Sequence, residues 1–183
     1  MQTFFKATAM AGLLALSACA SGMDSGGMAQ PAAAAPTTMG AYLAEAARAD
    51  MYEIQAGELA QSKGSAAGVR QFGAMMVRDH TTTTQQLMQA VMSSGASPPP
   101  PPPLDARRAG LLRALRGASG AGFDRLYAQQ QLMAHQEALA LHQGYAQGGD
   151  NAALRATAAQ IVPAVQQHLQ HVQHMAGGGG SGG

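Results

Sequence analysis

A chain of 183 residues with a formal net charge of +1 has little long-range attraction for a polyanion, which argues against nucleic-acid binding. No Trp and only four Phe and four Tyr leave little to line an aromatic sugar or base site. A single Cys has no partner for an internal disulfide, and the abundant Ala, Leu, Met and Gln are good helix formers.

Residues 1–18 read as a bacterial export signal, with Lys6 as the early cation, an apolar run from Ala7 to Leu16, then small residues. The run is too short to span a bilayer as a helix, which takes ~20 apolar residues. It ends in Leu16-Ser17-Ala18-Cys19, which resembles a lipobox, so Cys19 is the expected lipidation site. The alternative is an ordinary secretory signal with a chance cysteine. Ala20 rather than Asp follows Cys19, which in a Gram-negative host resembles sorting to the outer membrane, facing the periplasm. The expected partner is then the membrane, through the lipid. Residues 19–38 are nearly all small or flexible types and form an expected disordered tether with a reach of ~23 Å. Residues 177–183 are a Gly/Ser tail without fold information. Residues 39–176 suit one domain.

Within that domain the first helix is expected over about Met39 to Gln61, with a seam of Leu43, Ala47, Asp50, Ile54 and Gly57, and Ala46, Glu53 and Ala60 beside it. Gly57 in mid-helix costs roughly 1 kcal/mol against Ala, and a close helix crossing is the simplest compensation. A second helix, about Ala66 to Ser93, carries Val69, Phe72, Met76, His80, Thr83, Leu87 and Val91 at the same steps. Pro98 to Pro103 form a polyproline strut of ~19 Å, expected to carry the chain along a bundle face. Asp105 to Arg116 suit a short amphipathic helix. Its Arg107, Arg108, Arg113 and Arg116, with Arg125 beyond, read as solvated charges. A third long helix, about Phe123 to Gln147, turns Phe123, Tyr127, Ala134, Ala138, Leu141 and Tyr145 inward, with His135 and His142 at the edge. The fourth presents Leu154, Ala158, Ile161, Val165, His168, Val172 and Met175, and Pro163 is expected to kink it. The predicted fold is all-α: an antiparallel four-helix bundle with a proline-rich crossover and a short extra helix between the second and third long helices.

Four groups of residues carry a family resemblance: Glu53-Ile54-x-x-Gly57-x-Leu59-Ala60; Val69-x-x-Phe72-x-x-x-Met76-x-x-Asp79-His80; Phe123-Asp124-x-x-Tyr127 with His135; and Ile161-Val162-Pro163 with His168-Leu169. Together they resemble the bacterial domain of unknown function 4142. The resemblance implies a ferritin-like bundle and an envelope location, and no established activity.

Glu53 (with Asp50), His80, His135 and His168 place one or two polar groups per long helix toward the core. Bundles build metal sites from facing helices in this way, and three imidazoles with a carboxylate suit Zn, Cu or Fe. Asp79 and Asp124 are then candidate acceptors for ring N–H groups, and Tyr127 could join them through its hydroxyl. The competing reading is a hydrogen-bonded network that fixes the register of Ala-rich helices. A di-iron site is disfavoured, because Val77 and Val165 stand where Glu-x-x-His motifs need carboxylates. His168-x-x-His171-x-x-His174 turns progressively toward the surface and is a second, exposed metal candidate. No Ser stands in a nucleophile elbow and no Gly-rich loop follows a strand, so an enzyme is not the favoured expectation. Two functions remain: an outer-membrane lipoprotein with a binding or envelope-maintenance role, and a metal-binding protein or metalloenzyme.

Overall fold

The computed structural model describes residues 35–177. The expected signal, Cys19, most of the tether and the end of the Gly/Ser tail lie outside the described residues. Within them the protein is all-helical: α1 (Met39–Lys63), α2 (Ala67–Ser93), α3 (Ala106–Gly117), α4 (Gly120–Gly148) and α5 (Ala152–Gly177). No helix among the described residues is long and apolar enough to cross a membrane.

The helix ends are fixed by polar side chains, some of them distant in sequence. Asp105 caps α3 by accepting from the Arg108 amide at 2.8 Å, and Asn151 accepts from the Leu154 amide at the start of α5. At the start of α2 the acceptor comes from α4: Asp124 takes the Ser65 and Ala66 amides, each at 2.8 Å. A carboxylate at this position takes the amides just ahead of the first helical turn and sits favourably at the positive end of the helix dipole. Helix α5 runs through Pro163, which sits on the exposed side, where the carbonyl of Ala159 left without its usual donor can meet water.

The long helices pack in pairs, α1 on α2, α4 on α5, α2 on α5 and α1 on α4. The closest approach is between α1 and α2. A Cβ at Gly57 would lie 2.6 Å from the Gly73 carbonyl oxygen, so only glycine admits this crossing. The helical cost of Gly57 is thus offset by close backbone packing, as expected. Along the crossing Asp50 meets His80, seven residues before Gly57 and seven after Gly73, so α1 and α2 run in opposite directions.

Helix α3 packs on α1 and α4. Arg108, near its start, is buried and binds Glu45 and Asp105, each at 2.5 Å, while Lys63 reaches the Leu115 carbonyl at its end. Arg107 pairs with Glu137 of α4. These contacts correct the reading of Arg108 as a solvated charge, since it is buried and ties α3 to α1, whereas Arg107 is exposed, as expected. They also show that α3, rather than the polyproline run alone, travels along α1 from Glu45 to Lys63.

The core has two apolar clusters. One gathers Tyr42, Leu43, Leu87, Val91, Leu141, Tyr145, Leu154 and Ile161, and the other Tyr52, Phe72, Met76, Leu112, Leu115, Phe123, Tyr127 and Val172. On every long helix buried polar residues fall at the junction of the two, His142 of α4 lying instead within the first. Those at the junction are Asp50 and Glu53 on α1, His80 on α2, Gln130, Gln131 and His135 on α4, and His168 on α5. A polar layer therefore crosses the middle of an otherwise apolar bundle.

Candidate metal centre

His80, His135 and His168 meet in that layer. Their ring centroids are 5.7 Å (His80–His135), 5.8 Å (His80–His168) and 5.3 Å (His135–His168) apart, a nearly equilateral triangle. One nitrogen from each ring lies within 4.8 Å of the other two. His80 Nε2, His135 Nε2 and His168 Nδ1 are buried and have no hydrogen-bond partner in the protein.

The opposite nitrogen of each ring is held. His80 Nδ1 donates to Asp50 Oδ1 at 2.8 Å, His135 Nδ1 to the Gln131 carbonyl at 2.8 Å, and His168 Nε2 to Asp79 Oδ2 at 2.9 Å. A donor bond on one ring nitrogen leaves the other as a lone pair when the imidazole is neutral. With all three rings neutral, the unpartnered nitrogens of this cluster offer lone pairs that a cation would satisfy. This is also the usual outer support of metal-bound histidine, which orients the ring and raises its basicity.

Electrostatics separate the three rings. Burial and the neighbouring His80 hold His135 down to about 3, so it is neutral near pH 7. Burial pulls His80 down too, but the hydrogen bond and charge of Asp50, with Glu53 and Asp79 nearby, outweigh it and leave its pKa raised. His168 is lowered, because burial outweighs its bond to Asp79. Burial raises Asp79, yet donors from His168 and Arg78 bring it below the ordinary carboxylate range.

A sequence profile of the family described as Domain of unknown function (DUF4142) matches residues 25–175. The chain belongs to this family. No curated protein matches the sequence. Three solved structures share the fold at low identity, all of CopM. The Cu(I)-bound form gives a TM-score of 0.65 at 15% identity, covering 79% of this chain and 99% of that one. The Cu(II)-bound form gives 0.64 at 14%, covering 77% and 97%. The apo form gives 0.63 at 15%, covering 79% and 99%.

In this DUF4142 chain Glu53 stands apart from the three unpartnered nitrogens. Its Oε2 accepts from Gln131 Nε2 at 2.6 Å, and its Oε1 is 3.8 Å from His135 Nδ1, the nitrogen already bonded to a carbonyl. Glu53 thus faces the back of His135. Burial raises its pKa to about 7, with His80 and Gln131 working against that rise. Asp124 is also elsewhere: both its oxygens are taken by the Ser65 and Ala66 amides, so it serves no imidazole. Tyr127 is fully buried, its ring packed on Phe72 and Phe123, and its hydroxyl has no partner in the protein. Burial and nearby Glu53 drive its pKa well up.

Three further residues support the layer: Asp50, which the sequence places inward with Glu53, and Gln130 and Gln131, which sequence reasoning does not single out. Asp50 holds His80 and also accepts from Thr84 Oγ1 at 2.8 Å. Gln131 links Glu53 to His135, and Gln130 joins the Tyr52 hydroxyl to the Leu111 carbonyl. His135 and His142, placed by the sequence at the edge of the inward face, are both buried in the core, His135 as the inward polar group expected of its helix. His142 lies away from the triad, with its Nδ1 2.9 Å from the Tyr42 hydroxyl, and burial lowers it to about 4.

Proposed function

We propose that this protein binds copper in the cell envelope, holding one ion on His80 Nε2, His135 Nε2 and His168 Nδ1 within a ferritin-like four-helix bundle. The observation that carries this reading is a cluster of three buried imidazoles, one nitrogen of each within 4.8 Å of the others, in which every ring has one nitrogen anchored and the other without a partner. A buried polar atom without a partner costs ~1–3 kcal/mol, and three in one cluster are hard to explain as a network that fixes register. The likeness to CopM, described in Cu(I)-bound and Cu(II)-bound forms, supports copper as the cation.

The donor set fits. Imidazole suits copper and zinc, and Cu²⁺ heads the affinity order among divalent first-row ions. Nitrogens ~2.0 Å from one ion lie ~3.3 Å apart in tetrahedral geometry, so nitrogens within 4.8 Å of one another need to close only on the order of 1 Å. The three protein ligands are neutral imidazoles, with Asp50, Asp79 and Glu53 supplying compensating charge from outside the ligand set. Glu53 belongs to the supporting layer in this reading, because Gln131 already engages it.

Chelator-treated protein incubated with excess Cu, Zn or Fe and then desalted is expected to retain one copper per chain by elemental analysis. Retention of no metal would overturn the reading, and retention of zinc alone would overturn the choice of copper. Binding rather than turnover is the proposed activity.

The envelope location rests on the signal and on the Leu16-Ser17-Ala18-Cys19 sequence, with Cys19 as the lipid anchor in the outer membrane and the bundle in the periplasm. Mass spectrometry of protein from membranes is expected to show an acylated N-terminus beginning at Cys19, and Cys19→Ser is expected to abolish it.

A further inference from the structure

The triad is enclosed, which raises the question of how an ion reaches it. The side chains of His80, His135 and His168 are 6%, 0% and 7% exposed. Their anchors differ more than the rings do. Asp50 is buried, and the Gln131 carbonyl belongs to the packed face of α4. Asp79 is 29% exposed and also engages Arg78, whose side chain is 68% exposed. His168 is therefore the one ligand whose outer edge leads to solvent. Its bond to Asp79 is also the easiest of the three to open, because water can replace either partner there.

One turn further along α5 lies His171, which is exposed. Residues three apart on a helix are neighbours, with Cβ atoms ~5–6 Å apart. The His171 ring is 5.0 Å from the Phe72 ring, and Phe72 is in turn 6.4 Å from His168 and 6.1 Å from His135. Phe72 thus forms an apolar wall along which an exposed imidazole and a buried one stand side by side. His174, three residues further on, is exposed and turned another 60° or so around the helix.

We propose that His171 is the loading ligand of the copper centre, capturing the ion at the surface of the α2–α5 groove and passing it to His168. This inference rests on the copper reading of the triad. The step is a ligand exchange without change of oxidation state. A ring nitrogen of His171 displaces water from the aqueous ion. His168 leaves Asp79 and binds the ion through a ring nitrogen as His171 lets go. His168 then returns with the ion to His80 and His135. A ligand used only in transit lowers the barrier in both directions, so it changes the rates and not the equilibrium.

The test uses the full chain, stripped with chelator, and copper(II) alone as probe. Association is followed by stopped-flow quenching of tyrosine fluorescence, and dissociation by transfer to excess chelator. His171→Ala and His171→Gln, the second keeping more of the side chain against Phe72, are each expected to slow association and dissociation about tenfold, with Kd changed less than about threefold. His174→Ala is expected to keep wild-type rates. Wild-type association in both His171 variants would overturn the loading path and leave the triad standing. So would equal slowing by His174→Ala, or a Kd weakened tenfold through faster dissociation alone. Wild-type affinity in His80→Ala is a different failure, because it would remove the triad itself.

Discussion

His135→Leu is expected to make the metal-free protein more stable and to abolish its response to copper. His135 is the cleanest of the three positions for this test. Its anchor is a helix carbonyl rather than a carboxylate, so the substitution strands no charge. Losing the Nδ1–H bond costs about 1 kcal/mol, while removing a buried, unpartnered Nε2 recovers ~1–3 kcal/mol. Leucine is close to imidazole in volume and belongs with the apolar clusters above and below. The net gain of about 1 kcal/mol raises Tm in chelator by roughly 2–4 °C for a domain of this size. With copper the order reverses. An ion at 100 times its Kd stabilises the wild type by about 2.7 kcal/mol, whereas the variant, with one of three ligands gone, gains nothing comparable. Thermal melts in chelator and in copper decide the matter. A loss of stability in chelator together with an unchanged copper shift would mean that His135 is a structural node of the layer. A site that trades resting stability for ligand binding is the outcome the geometry supports.

Much of this layer was readable from spacing, and the parts that were not share a cause. His80 and His168 stand on regular steps of three and four among residues such as Met76, Leu87, Val165 and Val172, so periodicity alone turns them inward. His135 stands on a helix where apolarity misleads. Its buried face runs through Phe123, Tyr127, Gln131, His135, Ala138, His142 and Tyr145, three of them polar, and choosing apolar residues selects Ala134 instead, which is only half-buried. On α1 the same preference picks Ala47 and Ile54, both half-buried, over Tyr42, Tyr52 and Ala56, because short Ala-rich stretches leave the helix phase open. Asp124 reads from the sequence as an acceptor for an imidazole, but the start of a helix on another element has the stronger claim on its oxygens. The level of each group along the bundle is a tertiary property, invisible to the period of one helix. One clue to it did lie in the sequence. If Gly57 and Gly73 are taken as the point where α1 and α2 cross, Asp50 and His80 are equally far from it and must face each other.

That pairing sets the second large effect. Asp50→Ala is expected to destabilise the metal-free protein by ~3–5 kcal/mol, the range for breaking a buried ion-pair contact from one side. It leaves His80 Nδ1 and the Thr84 hydroxyl without their acceptor and gives His80 a second unpartnered ring nitrogen. The loss depends on pH in a definite direction. The folded protein raises the pKa of His80, so the contribution of its protonated form is fully present below the ordinary value of 6.5 and fades as pH rises through the folded value. The destabilisation by Asp50→Ala, read from urea melts in chelator, should therefore be larger at pH 6 than at pH 9. Asp50→Asn separates support of the ring from the charge that assists it. An amide oxygen can still accept from Nδ1, so the fold should hold, but a neutral acceptor makes His80 a poorer donor and copper affinity should fall ~10–100-fold. Asp79→Asn should cost less than Asp50→Asn, because Asp79 is 29% exposed and water can share its role. Competition titrations against a copper chelator measure that order. Equal losses at the two positions, or none at Asp50, would mean that His80 needs no charged anchor to bind the ion.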